Sequence, residues 1–167
     1  MKLLRADANV DRLSEIDVGA WYAKGIRCIL MDLDNTIALW KSTALTEDAI
    51  HLIAEARSTG IAVVLFTNAH EARAREAAWN AGVSYYALAR KPFPFKYNKA
   101  FAELDLHSEE VMAIGDQVFT DVLGGNLTGC ITVLTTPLSE SEFSGTKMLR
   151  LFERLFAGRK TVYLDRP

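Results

Sequence analysis

Cys28-Ile29-Leu30-Met31-Asp32-Leu33-Asp34-Asn35-Thr36 is a short apolar run that ends in two acids one residue apart. In a parallel strand covered on both faces, Cys28 to Met31 are interior. Asp32 is then the first residue at the carboxyl edge, where open α/β sheets bind their ligands. Two carboxylates this close repel each other unless a cation sits between them or one holds a proton. The first remedy is a hard divalent ion with oxygen ligands; the second is a proton donor. A solvated acidic turn after a strand has the same dipeptide spacing, so the rest of the chain has to separate the readings.

The chain has 167 residues, of which 50% are apolar and 24% charged, enough for one compact domain with a substantial core. A second domain is not expected. A formal net charge of -2 gives no global field for nucleic acid, and no nucleic-acid partner is expected. Cys28 and Cys130 both lie in apolar runs without the paired spacing of a metal site, and they read as reduced core residues. The first residues carry Arg5, Asp7, Asp11, Arg12 and Glu15 with no apolar run of signal-peptide length, and no later stretch approaches membrane-spanning length. The expected location is the cytoplasm, with peripheral attachment at the inner membrane face as its limit.

Outward from the first strand, helix and strand signals alternate. Residues 1–20 read as a strap crossing the sheet edge. Thr46 caps a helix carrying Ala49, Leu52, Ile53 and Ala56 on one face, and Gly60 ends it before the strand Ile61 to Phe66. An alanine-rich helix from about His70 to Asn80 stops at Gly82, and Val83 to Leu88 supplies a third strand ahead of Lys91. A helix from Tyr97 to Leu104, a strand from Val111 to Ile114, a short helix from about Thr120 to Leu127 and a strand from Cys130 to Leu134 follow. Residues 140–157 read as an amphipathic helix. This alternation predicts a doubly wound, parallel five-stranded α/β sheet with right-handed crossovers. Its polar strand ends then share one edge, bringing together Asp32, Asp34, Thr67, Asn68, Lys91, Asp116 and Asp121.

A phosphate monoester at this edge needs a nucleophile, neutralisation of its oxygens and a proton for the leaving alcohol. A carboxylate approaching a phosphate dianion is electrostatically opposed. Mg²⁺ held by Asp32 and Asp116, with the Lys91 ammonium, would offset that repulsion. Thr67 and the backbone amides after it are donors for the remaining oxygens, and Gly115 lets the loop approach the metal closely. Singly, Thr67 reads equally as a helix cap, Lys91 as a surface lysine and Asp116 as a turn residue.

As a set, Asp32-Leu33-Asp34-Asn35-Thr36, Thr67-Asn68, Lys91-Pro92 and Gly115-Asp116-Gln117 with Thr120-Asp121 resemble the four motifs of the haloacid dehalogenase superfamily. The resemblance implies a haloacid dehalogenase-like Rossmannoid fold and Asp32 as the nucleophile of an aspartyl phosphate. It implies Asp34 as general acid and then base, with Thr67, Asn68 and Lys91 binding phosphate. It also implies metal ligation by Asp32, Asp116 and the Asp34 backbone carbonyl, with Asp121 supporting the metal. Ala69 departs from the pattern, since similar proteins often carry a polar residue there.

Only 30 residues separate Thr36 from Thr67 and 22 separate Asn68 from Lys91, which leaves no room for a cap domain. An uncapped site suits a large substrate or one presented by a surface. From about Leu3 to Leu155 the chain resembles the capless subclass IIIA phosphatases, and within them a family that includes phosphatidylglycerophosphate phosphatases. Pro137-Leu138-Ser139-Glu140 with Glu142-Phe143 and Thr146-Lys147 is part of that resemblance. It implies hydrolysis of phosphatidylglycerophosphate to phosphatidylglycerol, with a phospholipid headgroup as the partner.

The expected last helix sets Met148, Leu149, Leu151, Phe152, Leu155 and Phe156 beside Lys147, Arg150, Arg154, Arg159 and Lys160. Such a helix either lies on an anionic membrane or packs its stripe on the sheet. Trp40, Lys41, Arg90, Phe93, Phe95 and Lys96 are candidates for headgroup and interface contact, with core packing the alternative for the aromatics. His51, His70 and His107 match no motif. Three further readings stay open: a capless phosphatase of a soluble ester or phosphoprotein, a receiver-like phosphoaspartate switch, and a catalytically idle interaction module, which the four unbroken motifs argue against. Asp34, an acid placed to activate water, argues for turnover over a lasting switch.

Overall fold

A computed structural model describes residues 2–139. The expected helix over 140–157, with its basic residues, lies outside the described residues. Six strands form one wholly parallel sheet: β1 (Ala8–Val10), β2 (Cys28–Met31), β3 (Ala62–Phe66), β4 (Ser84–Tyr86), β5 (Val111–Gly115) and β6 (Ile131–Thr135). Their spatial order is β1-β6-β5-β2-β3-β4. Helices α1 (Val18–Ala23), α2 (Glu47–Thr59), α3 (Glu71–Ala81), α4 (Phe95–Leu104) and α5 (Leu123–Thr128) fill the connections.

The alternation of side chains along β2 shows why the sheet is covered twice. Ile29 and Met31 enter an apolar cluster with Leu52, Ile53, Ala74 and Ala78 of α2 and α3. Cys28 and Leu30 enter the opposite cluster with Tyr97 and Ala100 of α4. Each face therefore carries helices, and β2 can be apolar at every position. Cys28 and Cys130 are buried free thiols in that second cluster, as their apolar settings predict.

Local signals end the helices where expected. The Thr46 side chain accepts from the Ala49 N–H at the start of α2, and Gly60 (φ 90°) closes it in the left-handed conformation. Gly82 (φ 63°) does the same for α3. Two sequence expectations change. The strap of residues 1–20 contributes a sixth strand, because Ala8–Val10 pairs with β6 and Asp7 ties in alongside it. The Thr132 N–H and hydroxyl both donate to Asp7 Oδ2, at 2.8 and 3.1 Å. The single helix expected from about Thr120 to Leu127 is instead a π-helical turn, Val118–Val122, running into α5.

β2 lies at the centre, with β5 on one side and β3 on the other. Crossovers leave in opposite directions there, so their carboxyl ends open a crevice. The connections from Thr36 to Thr67 and from Asn68 to Lys91 each contain one helix and one strand, with no inserted domain. Among the described residues no helix is long and apolar enough to cross a membrane.

Candidate active site

Pairing persists one residue past β2, where the Asp32 N–H donates to the Ile114 carbonyl at 2.9 Å. The chain then turns tightly: Asn35 is left-handed (φ 57°), its N–H donates to Ala38 O, and the Ile37 and Ala38 N–H groups return to Leu33 O. This turn holds Asp32 inside the crevice and Asp34 at its mouth. From β3, buried Thr67 arrives with its N–H on Tyr86 O, and its hydroxyl accepts from the Ala69 N–H at 3.0 Å. The donor after Thr67 that backbone geometry offers at Ala69 is thus engaged by Thr67 itself.

Lys91 is brought in by Asn68. The Asn68 Oδ1 accepts from the Lys91 N–H at 2.8 Å and its Nδ2 donates to the Lys91 carbonyl at 3.3 Å. Asn68 therefore braces the lysine's backbone while also lining the cavity. The buried Lys91 ammonium donates to Asp32 Oδ1 at 2.7 Å and to Asp121 Oδ1 at 2.5 Å. The other Asp121 oxygen accepts from the Gln117 N–H at 3.1 Å and the Thr120 hydroxyl at 3.2 Å. The π-helical turn thus aims Asp121 inward and fixes both of its oxygens. Gly115 makes room for this, because a Cβ there would lie 2.1 Å from Asp121 Cγ. The Thr36 hydroxyl reaches Asp116 Oδ1 at 3.5 Å.

Asp32, Asp34, Thr67, Asn68, Lys91, Gln117 and Thr120 line a cavity of about 110 Å³. One carboxylate oxygen from each of Asp32, Asp116 and Asp121 lies within 4.8 Å of the others. Burial pushes Asp32 up to about 6 against the pull of Lys91, and repulsion from Asp121 and Asp34 adds to the rise. Burial, then Asp32 and Asp121, push Asp116 up to about 7. Burial opposes the charge on Lys91, yet Asp121 and Asp32 hold it above the usual lysine value. Four carboxylates thus face two cations, Lys91 and Arg73. The surplus of negative charge and the all-oxygen donor set fit one hard divalent ion.

Arg73 is the residue that sequence reasoning missed. It rises from the first turns of α3, donates from Nη1 to Asp34 Oδ1 at 2.6 Å, and engages Asp34 Oδ2 through its other terminal nitrogen. Asp34 Oδ1 also accepts from the Lys41 N–H at 3.1 Å. A cation in the first turns of the helix after Thr67-Asn68 was a visible signal. Its partner, 39 residues earlier, was not.

Among the surface candidates, Phe93 and Phe95 are 68% and 77% exposed, and neither packs in the core. Trp40 is half-buried with the Lys41 ammonium 4.2 Å above its ring, Arg90 is exposed, and the Lys96 ammonium is bound to the Ala87 carbonyl. His51, His70 and His107 are exposed.

Residues 4–129 match the model of the haloacid dehalogenase-like hydrolase family. The chain is 34% identical over 131 residues to the protein named Probable phosphatase YqeG of Bacillus subtilis (strain 168), covering 78% of this chain and 76% of that one. It is 29% identical over 149 residues to Phosphatidylglycerophosphate phosphatase 1, chloroplastic/mitochondrial, of Arabidopsis thaliana. That match covers 80% of this chain and 41% of the longer plant protein. The fold is also that of the cobalt-bound deoxy-D-mannose-octulosonate 8-phosphate phosphatase of Haemophilus influenzae. There the TM-score is 0.54 at 12% identity, over 67% of this chain and 69% of that one.

Proposed function

The chain belongs to the haloacid dehalogenase-like hydrolases, and from that membership we propose that it is a Mg²⁺-dependent phosphomonoesterase working through an aspartyl phosphate. The observation that carries this reading is the buried Lys91 ammonium fixed on the Asp32 carboxylate, with Thr67 and Asp34 on the same small cavity. Asp32 attacks phosphorus with one carboxylate oxygen, and the bond to the leaving oxygen breaks. Asp34 delivers a proton to that oxygen, releasing the alcohol. Asp34, now a carboxylate, takes a proton from water, whose oxygen attacks the phosphorus of the aspartyl phosphate and restores Asp32. Lys91 and the Thr67 hydroxyl stabilise the negative oxygens in both steps. A divalent ion held by Asp32, Asp116 and the Asp34 backbone carbonyl, with Asp121 behind them, would supply the further positive charge that a carboxylate needs near a phosphate dianion.

The substrate we assign is phosphatidylglycerophosphate, giving phosphatidylglycerol, within a single capless domain. The name of the plant relative supports this. So do the segments that follow the carboxyl ends of β2 and β4, which carry exposed Leu39 and Lys41 in one and exposed Leu88, Arg90 and Phe93 in the other, with exposed Phe95 opening α4. Apolar side chains interspersed with cations suit the interface of an anionic membrane, where the headgroup would enter an uncovered site. The test is Mg²⁺-dependent phosphate release from phosphatidylglycerophosphate in mixed micelles, beside a panel of soluble phosphomonoesters, with Asp32→Asn as control. Strong preference for the lipid is expected. Preference for a soluble ester would overturn the substrate and leave the chemistry standing; silence across the panel would overturn both.

A further inference from the structure

The Arg73–Asp34 pair sets a problem that the proposed chemistry does not solve. Both oxygens of Asp34 accept from the Arg73 guanidinium, and Oδ1 also accepts from the Lys41 N–H. To reach a leaving group or a water, Asp34 must free an oxygen. Arg73 would then stand at the crevice mouth with no anion of its own. Its side chain is about one quarter exposed, so it meets solvent on one side and the site on the other. A partly desolvated guanidinium left unpaired is costly, and its planar fork matches an anion presenting two oxygens.

We propose that Arg73 is a specificity-determining residue that exchanges Asp34 for a second anionic group of the substrate, a phosphodiester one short spacer away from the phosphoryl group being cleaved. The assignment rests on the phosphatidylglycerophosphate reading, whose substrate carries such a diester beside its terminal monoester. Binding of the diester draws the guanidinium off Asp34 and frees the carboxylate for the reaction. A phosphomonoester without a second anion leaves the pair closed, so recognition and release of Asp34 are one event. Lys91 is engaged by Asp32 and Asp121 and Lys96 by the Ala87 carbonyl, whereas Arg73 holds the very carboxylate that the reaction must free.

The experiment compares a short-chain, monomeric phosphatidylglycerophosphate with glycerol 3-phosphate as substrates for the wild type, Arg73→Gln and Arg73→Lys. The wild type is expected to favour the diester-bearing ester in kcat/KM. Arg73→Gln should lower that preference at least about tenfold, chiefly through a raised KM for the diester-bearing ester. Arg73→Lys should restore part of it, since it returns the charge without the fork. Loss of turnover by the same factor on both esters would mean that Arg73 only positions Asp34, and would overturn the exchange. An unaltered preference would overturn it too. Calorimetric binding of the short-chain lipid to Asp32→Asn, with and without Arg73→Gln, reads the contact without turnover. Equal affinities there would reject the assignment even if the wild type hydrolyses neither ester, a result that by itself overturns the proposed function.

Discussion

The Lys91 ammonium sits 2.7 Å from Asp32 Oδ1, and both side chains are buried. Together with Asp121 this is a three-membered charge cluster in which the lysine is the shared counter-ion. Removing it strands two carboxylates in the interior. Lys91→Met is expected to cost about 3–5 kcal/mol in a urea melt performed in EDTA. Phosphate release at saturating substrate should fall by about 10²–10³-fold. A melt close to wild type would show that the two acids find other compensation.

Asp32→Asn is expected to abolish turnover while leaving the fold in place. The amide is nearly isosteric and still accepts a hydrogen bond from Lys91, but it is not a nucleophile. Steady-state hydrolysis and a thermal melt check the two halves separately. Residual Mg²⁺-dependent hydrolysis near the wild-type rate would remove Asp32 from its proposed role.

The raised values of Asp32, about 6, and Asp116, about 7, make the metal-free protein sensitive to pH. Both lie above the unfolded value of about 3.9. The stability they contribute is therefore complete below about pH 4 and is lost as pH rises through their folded values. In EDTA, Tm is expected to drop between about pH 4 and pH 7 in the wild type, and to drop less in Asp116→Asn. At pH 8 the variant should be the more stable metal-free protein by about 1–3 kcal/mol, or several degrees. The same variant should lose Mg²⁺-dependent turnover. A larger pH dependence in Asp116→Asn than in the wild type would contradict the buried-repulsion account.

Gly115 has no room for a methyl group, because Asp121 occupies the place of its Cβ. Gly115→Ala should displace Asp121 from Lys91, lowering stability by about 1–3 kcal/mol and turnover by more than tenfold. Gly25→Ala is the control: at φ 101° with open space around the Cβ position, it adds backbone strain of about 1–2 kcal/mol far from the chemistry. Equal losses of turnover in the two variants would show that general destabilisation, and not the Asp121 contact, explains Gly115.

Burial holds the thiols of Cys28 and Cys130 high, at about 12 and about 11. Neither is expected to react with a thiol reagent at pH 8 in the native protein, and both should react in denaturant. Rapid labelling of the native chain would place at least one of them outside the core.

Five of the six strands were legible because each is an apolar run closed by a turn residue or a polar end, and local chemistry alone places such boundaries. The convergence of Asp32, Thr67, Lys91 and Asp116 was legible for the same reason: a parallel sheet puts every strand's carboxyl end on one edge. β1 was not legible, since Ala8-Asn9-Val10 has no strand pattern of its own and becomes a strand only through β6 and the Asp7–Thr132 bonds. The exposed state of Phe93 and Phe95 was likewise open, because an aromatic residue suits a core as well as a rim.

By itself, the sequence determined the alternation of elements, the two-faced burial of the sheet and the set of acids and cations at its edge. These follow from side-chain periodicity and from residues whose preferences act over a few positions. Only the tertiary structure decided which charges meet: that Lys91 is shared by Asp32 and Asp121, that Asn68 braces the Lys91 backbone, and that Arg73 closes on Asp34. Pairing between groups 23 to 59 residues apart depends on strand register and helix rotation, which are set by the packing of the whole chain and by no local pattern.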